Sequence, residues 1–267
     1  MHFNFDFFSH QFLWALTFAA QVVLLAVLLG RDRARRYPWF TVGIVLAALQ
    51  LMAGILLSGR IAMLPLQEIM LVLADIDVIV GLMVLVELAR MAFTGATRSQ
   101  WIANTVGLVI VAGGLLGLWG PWPAWNNLGL GTLLGELRMM QLVAQKGSTL
   151  VDLLTVGLGL VVGLFGYRFK AGWRSYPQMI VIGLSAVAIA WLTVQQTWLI
   201  LLRKAYFQSQ EQLLSFSGKL VAADKIVYLA ALVWWIAWLW LDEPGTTTAL
   251  PAEAEPEPEQ KPEQTEL

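Results

Sequence analysis

Long apolar runs alternate with short polar breaks along this chain, and the runs share one length. Seven of them are near the roughly 20 residues a membrane helix needs: Phe12–Gly30, Pro38–Ser58, Leu66–Ala89, Trp101–Gly120, Thr149–Tyr167, Pro177–Leu202 and Leu220–Leu241. Open strands would leave backbone polar groups unsatisfied in hydrocarbon, whereas a helix satisfies its own. The pattern therefore predicts an all-α, polytopic membrane protein, a seven-transmembrane-helix bundle over residues 1–243. Between the fourth and fifth runs, GPWPAW at 120–125 reads as an interfacial turn. Thr132–Gln145 is amphipathic and reads as a helix lying in the outer interface or, the favoured reading, an outward extension of the fifth span.

Composition agrees with lipid as the solvent. Hydrophobic residues make up 58% of the chain and charged ones 13%, about half the charge of an ordinary soluble domain. The net charge of −1 hides an asymmetry. Up to Glu243 there are 16 Lys and Arg against 12 Asp and Glu, whereas residues 244–267 carry one Lys and six Glu. That tail alternates Pro and Glu and has too little apolar surface to offset the entropy of ordering, so disorder is expected there.

Basic residues in the short loops set the orientation. Arg31, Arg33, Arg35 and Arg36 crowd the first loop, Arg90 and Arg98 the third, and Arg168, Lys170 and Arg174 the fifth, nine on one side. The other loops hold at most seven. The compact first loop weighs most, which predicts N-out, C-in in the cytoplasmic (inner) membrane. No Lys or Arg precedes the first run, so it reads as a retained span, not a signal peptide.

Several chemistries are excluded. With no Cys there are no disulfides, thiolate metal sites or Cys nucleophiles. The two His, His2 and His10, both precede the first span, which removes multi-histidine metal sites and intramembrane haem ligation. No cofactor and no nucleic-acid partner is expected, and no catalytic motif stands out.

Charge inside a span is costly and therefore informative. Asp75 and Asp77 lie in the third span, and Asp224 and Lys225 in the seventh. Gln195 and Gln196 sit about 9 Å short of the outer end of the sixth, and Asp152 near the outer mouth of the fifth. These positions concentrate polarity in the outer half of the bilayer. Asp75, Asp77, Gln195, Gln196, Asp224 and Lys225 form the candidate ligand or ion-pair site, with Lys225 pairing to Asp75 or Asp77. The two aspartates stand about 200° apart on the helical wheel, so only one can face a given point. The competing reading is an ion pair that locks the third and seventh helices together. Glu87 reads as an interfacial carboxylate beside Arg90. Gln21 and Gln50 read as interhelical glue, and Gly113, Gly114 and Gly117 as close helix packing.

Tyr37-Pro38 and Tyr176-Pro177 open the second and sixth spans after basic loops, and Ala74-Asp75 matches Ala223-Asp224. The spacing fits a 3+1+3 parallel repeat joined by the fourth helix. Lys225 with a third-helix aspartate imitates a retinal site, but the aromatic box such a site needs is missing. One Pro-Gln pair, Pro177-Gln178, is a weak sign of a PQ-loop carrier.

RYPWF before the second span, VELARMAF at the end of the third, LRMMQLVAQKG before the fifth and KIVYLAALVWWIAWLWLDEP through the seventh make the chain similar to a group of uncharacterised bacterial seven-helix integral membrane proteins. The likeness extends to about Pro244 and departs at Ala74-Asp75, where an aromatic pair is expected. It implies the topology and brings no activity. The expectation is a sensory or accessory module, not an enzyme, that takes a small ligand from the outer side. With too short a tail for an output domain, it would act through a separate signalling partner or a homo-oligomer. The alternative is a small-solute transporter, with a lipid-modifying enzyme behind it.

Overall fold

The computed structural model describes residues 10–57, 60–92, 98–118, 132–165, 175–203 and 210–241. The GPWPAW turn and the acidic tail 244–267 lie outside the described residues. Seven helices follow in order: α1 (His10–Gly30), α2 (Pro38–Leu57), α3 (Met63–Ala92), α4 (Arg98–Leu118), α5 (Leu133–Phe165), α6 (Tyr176–Arg203) and α7 (Gln210–Trp240). Six of them, all but α4, are long and apolar enough to cross a bilayer. The expected seventh span is thus not matched, because the described apolar part of α4 is confined to Thr105–Gly117. A multi-pass membrane protein accounts for what covers this fold: Ile110, Leu164 and Leu29 are each at least 67% exposed, which lipid tolerates and water would not.

α1, α2, α3, α5, α6 and α7 form a closed ring in that order, with α7 returning to α1. α3 and α6 also meet across the ring, and among the described helices α4 packs on α5 alone. Gly113, Gly114 and Gly117 do not serve the close packing expected of them, since a Cβ on any of the three would meet nothing within 4 Å. The close approach is made from the other side. Gly157 of α5 leaves the space that Leu108 of α4 fills, Gly147 does the same for Val78 of α3, and Gly159 for Ser185 of α6. Glycine is needed on α5 because this one helix is wedged against three neighbours.

The end of the bundle carrying the arginine-rich turn is densely built. α1 stops in a Schellman arrangement: Arg33 N–H bonds Leu28 C=O at 2.9 Å and Asp32 N–H bonds Leu29 C=O at 3.2 Å. The left-handed residue that this motif requires is Asp32, at φ 54°. The turn then reaches across to α7. Arg33 Nη2 (2.9 Å) and Tyr176 Oη (2.6 Å) both donate to the Leu241 carbonyl, and the Arg33 guanidinium lies 4.1 Å from the Tyr176 ring centroid. Behind this knot Tyr37, Phe40, Leu88, Leu232, Trp235 and Leu239 are buried in one apolar cluster.

Glu87 belongs to the same construction. Instead of resting at the interface beside Arg90, it is 8% exposed and accepts the backbone N–H groups of Trp39 (3.3 Å) and Phe40 (3.0 Å). These are among the donors that the first turn of α2 leaves without intrahelical partners. Pro38 opens the helix with no N–H to satisfy. Glu87 therefore caps α2 from a neighbouring helix.

Candidate functional site

Above the apolar cluster the ring encloses a cavity of about 690 Å³. α1 contributes Trp14, Thr17 and Gln21, and α2 contributes Gly43, Ala47 and Gln50. Asp77 comes from α3, Ser148, Asp152 and Thr155 from α5, and Lys225 and Tyr228 from α7. From α6, Leu184 joins the lining.

Depth can be counted from the arginine-turn end of each helix. Asp77 is fifteen residues before Ala92, Asp152 thirteen before Phe165, and Lys225 fifteen before Trp240. At 1.5 Å per residue all three lie about 20–22 Å from that end, on three different helices. Asp152 is within electrostatic reach of both Asp77 and Asp224, and Tyr228 of Asp77. Gln21, fully buried, links α1 to α7 by donating from Nε2 to the Tyr228 hydroxyl at 3.1 Å, while its Oε1 has no hydrogen-bond partner. Gln50 links α2 to α3 by donating to the Leu73 carbonyl at 3.0 Å. Both glutamines are the interhelical glue expected, and both also line the cavity.

The six residues singled out in the sequence separate. Asp77 and Lys225 come together at the cavity. Asp75 does not line it, and its Oδ1 is buried without a hydrogen-bond partner. Asp224 is likewise outside the lining, with Oδ1 buried and unpartnered. Gln195 and Gln196 are half-buried near the far end of α6, about 28–30 Å from the arginine-turn end, and do not face the cavity.

Asp152 enters the site because α5 is longer than its apolar core. The helix begins at Leu133, so the amphipathic Thr132–Gln145 segment continues without a break into the span. Asp152 is then well inside the bundle instead of near its mouth. The absence of Pro between 132 and 165 was the sequence signal for this. Among the described residues, no group of three or more His, Cys, Asp or Glu is placed to hold a metal ion.

The fold and cavity thus define a multi-pass helical membrane protein whose ring holds a mostly apolar chamber with a few polar side chains. No family model, curated protein or solved structure matches the chain.

Proposed function

We propose that this protein is a seven-helix sensory or accessory module of the cytoplasmic membrane, N-terminus outside, that binds a small ligand in the central cavity from the outer side. The observation carrying this reading is where the polar lining stops. Gln21 is nine residues before Gly30 and Thr155 ten before Phe165, about 13–15 Å from the arginine-turn end. No polar side chain of the lining lies closer to that end; Phe40, Leu85 and Trp235 close the space there. A chamber whose few polar groups stand above a packed apolar floor suits a ligand that enters and leaves by one side. The exposed Arg31, Arg35 and Arg36 of the first turn support assigning the closed end to the cytoplasm. α4, held by one neighbour, offers a free flank to a signalling partner or a second copy.

The test is ligand-dependent thermal stability of the purified protein in nanodiscs, screened with small solutes, lipids, quinones and retinoids. A saturable stabiliser whose effect is lost in Asp77→Asn or Lys225→Met, with no accompanying flux into proteoliposomes, is the expected result. Stabilisation unaffected by both substitutions would place binding elsewhere and refute the reading.

The transporter alternative draws support from the ring order. A parallel repeat equating α1 with α5, α2 with α6 and α3 with α7 turns the α1–α7 contact into the α5–α3 contact, and both exist. Counterflow of a bound solute in proteoliposomes decides between the two.

A further inference from the structure

The hydrogen-bonding groups around the cavity are not evenly divided between donors and acceptors. Thr17 donates its hydroxyl proton to Leu13 C=O (2.7 Å), Ser148 to Gln145 C=O (3.1 Å) and Thr155 to Val151 C=O (2.7 Å). Each hydroxyl has one proton, so each is left with acceptor capacity only. Several nitrogen donors are also engaged with the protein. Trp14 Nε1 donates to Leu51 C=O (3.3 Å) and Gln50 Nε2 to Leu73 C=O (3.0 Å). Gln21 Nε2 donates to Tyr228, leaving Oε1 buried, unpartnered and within the lining. The indole N–H of Trp235 lies beside Gly183, buried and without a hydrogen-bond partner.

The lining thus holds, among its apolar side chains, the acceptor oxygens of Thr17, Ser148, Thr155 and Gln21 and the carboxyl groups of Asp77 and Asp152. Lys225 is the one ammonium group in the lining, within electrostatic reach of its α7 neighbour Asp224, while Asp152 is within reach of Asp77 and Asp224. An anion would meet two carboxyl groups here, with the Lys225 ammonium as the one positive charge in the lining. A species with several N–H donors and a positive charge would satisfy these oxygens and supply counter-charge to buried carboxylates. Trp14 and Tyr228 in the same lining add aromatic rings, which suit a cation. At about 690 Å³ the chamber is too large for a bare ion and falls within the ~300–1,000 Å³ usual for small organic ligands.

We propose that the cavity selects a small organic ammonium ion, held between Asp77 and Asp152 with Gln21 Oε1 and Thr155 Oγ1 accepting its remaining protons. The proposal rests on the cavity being the binding site argued above and names the chemistry of what binds there.

The experiment is isothermal titration of the full chain in nanodiscs with phenethylamine, spermidine and choline, beside the neutral 2-phenylethanol, the anionic phenylacetate, and sodium or potassium chloride alone. At least one amine is expected to bind saturably and roughly tenfold or more tighter than its neutral and anionic counterparts. Asp152→Asn should weaken it by a similar factor and Thr155→Val by less. Equal or tighter binding of 2-phenylethanol or phenylacetate overturns the ligand class while leaving the cavity as a site. Competition by sodium chloride that abolishes all amine binding overturns it in favour of an inorganic cation. If no probe of any charge binds here and none stabilises the protein in the wider screen, the binding site itself is refuted. The charge series uses the unmodified protein, so it stands even where a substitution prevents folding.

Discussion

Glu87 offers the sharpest test of how the closed end is built. Its carboxyl group accepts two backbone N–H groups at the start of α2, at 3.0 Å from Phe40 and 3.3 Å from Trp39. Phe40 is 2% exposed, so its N–H has no water to turn to, whereas the Trp39 residue is 43% exposed. Replacing Glu87 with Leu keeps the volume and removes both acceptors. The buried Phe40 donor then costs about 1–3 kcal/mol and the better-solvated Trp39 donor less, for a total near 2–3 kcal/mol. Glu87→Gln keeps one carbonyl oxygen and should cost about 1 kcal/mol, in the range of a lost helix cap. Arg90→Ala separates this account from a surface pair on α3. Arg90 is exposed, and an exposed i,i+3 partner is worth a few tenths of a kcal/mol. Reversible unfolding by a denaturing detergent gives the stabilities, and amide exchange at Phe40 shows locally whether the helix start frays. The reasoning fails if Glu87→Leu lies within about 0.5 kcal/mol of wild type, or if Arg90→Ala is as costly as Glu87→Leu.

Further predictions concern packing, backbone and charge. A Cβ on Gly183 would stand 2.8 Å from Trp235 Cε2, inside a rigid, buried ring, so Gly183→Ala should cost about 1–3 kcal/mol. Gly113→Ala, facing open space, should cost nothing measurable in the same unfolding assay. Asp32→Gly should stabilise by up to about 1 kcal/mol by relieving the left-handed backbone, since the exposed Asp32–Arg35 pair at 3.5 Å contributes little. Tyr176→Phe removes one of two donors to Leu241. It should cost about 1 kcal/mol, with faster amide exchange confined to the last turn of α7. A double-mutant cycle on Asp75→Asn and Lys225→Met should give a coupling below about 0.5 kcal/mol, since Asp75 is outside the cavity that Lys225 lines; a coupling of several kcal/mol would restore the ion pair.

The sequence by itself determined the helices and what surrounds them. Hydrocarbon allows no unsatisfied backbone and demands a minimum apolar length, and both constraints act on one segment at a time. Six of the seven runs could therefore be recognised as spans from their own residues, and Asp77 and Lys225 placed inside theirs, whereas Asp152 was expected near the mouth of its span. Where a span begins was harder to see, because an amphipathic helix such as Thr132–Gln145 looks the same lying on a membrane or continuing into it. The rotation of each helix about its axis was not legible at all. Asp75 and Asp77 differ by two residues and about 200°, and only the seating of α3 against α5 through Val78 and Gly147 turns Asp77 inward. Tertiary structure also decided that α4 stays outside the ring and that α5 supplies the glycines for close packing. It decided, too, that Glu87 finds its partners 47 and 48 residues away in α2. Each outcome depends on which surfaces meet, and contacts between helices are written in shape and pairing across distant segments, not in the periodicity of any one of them.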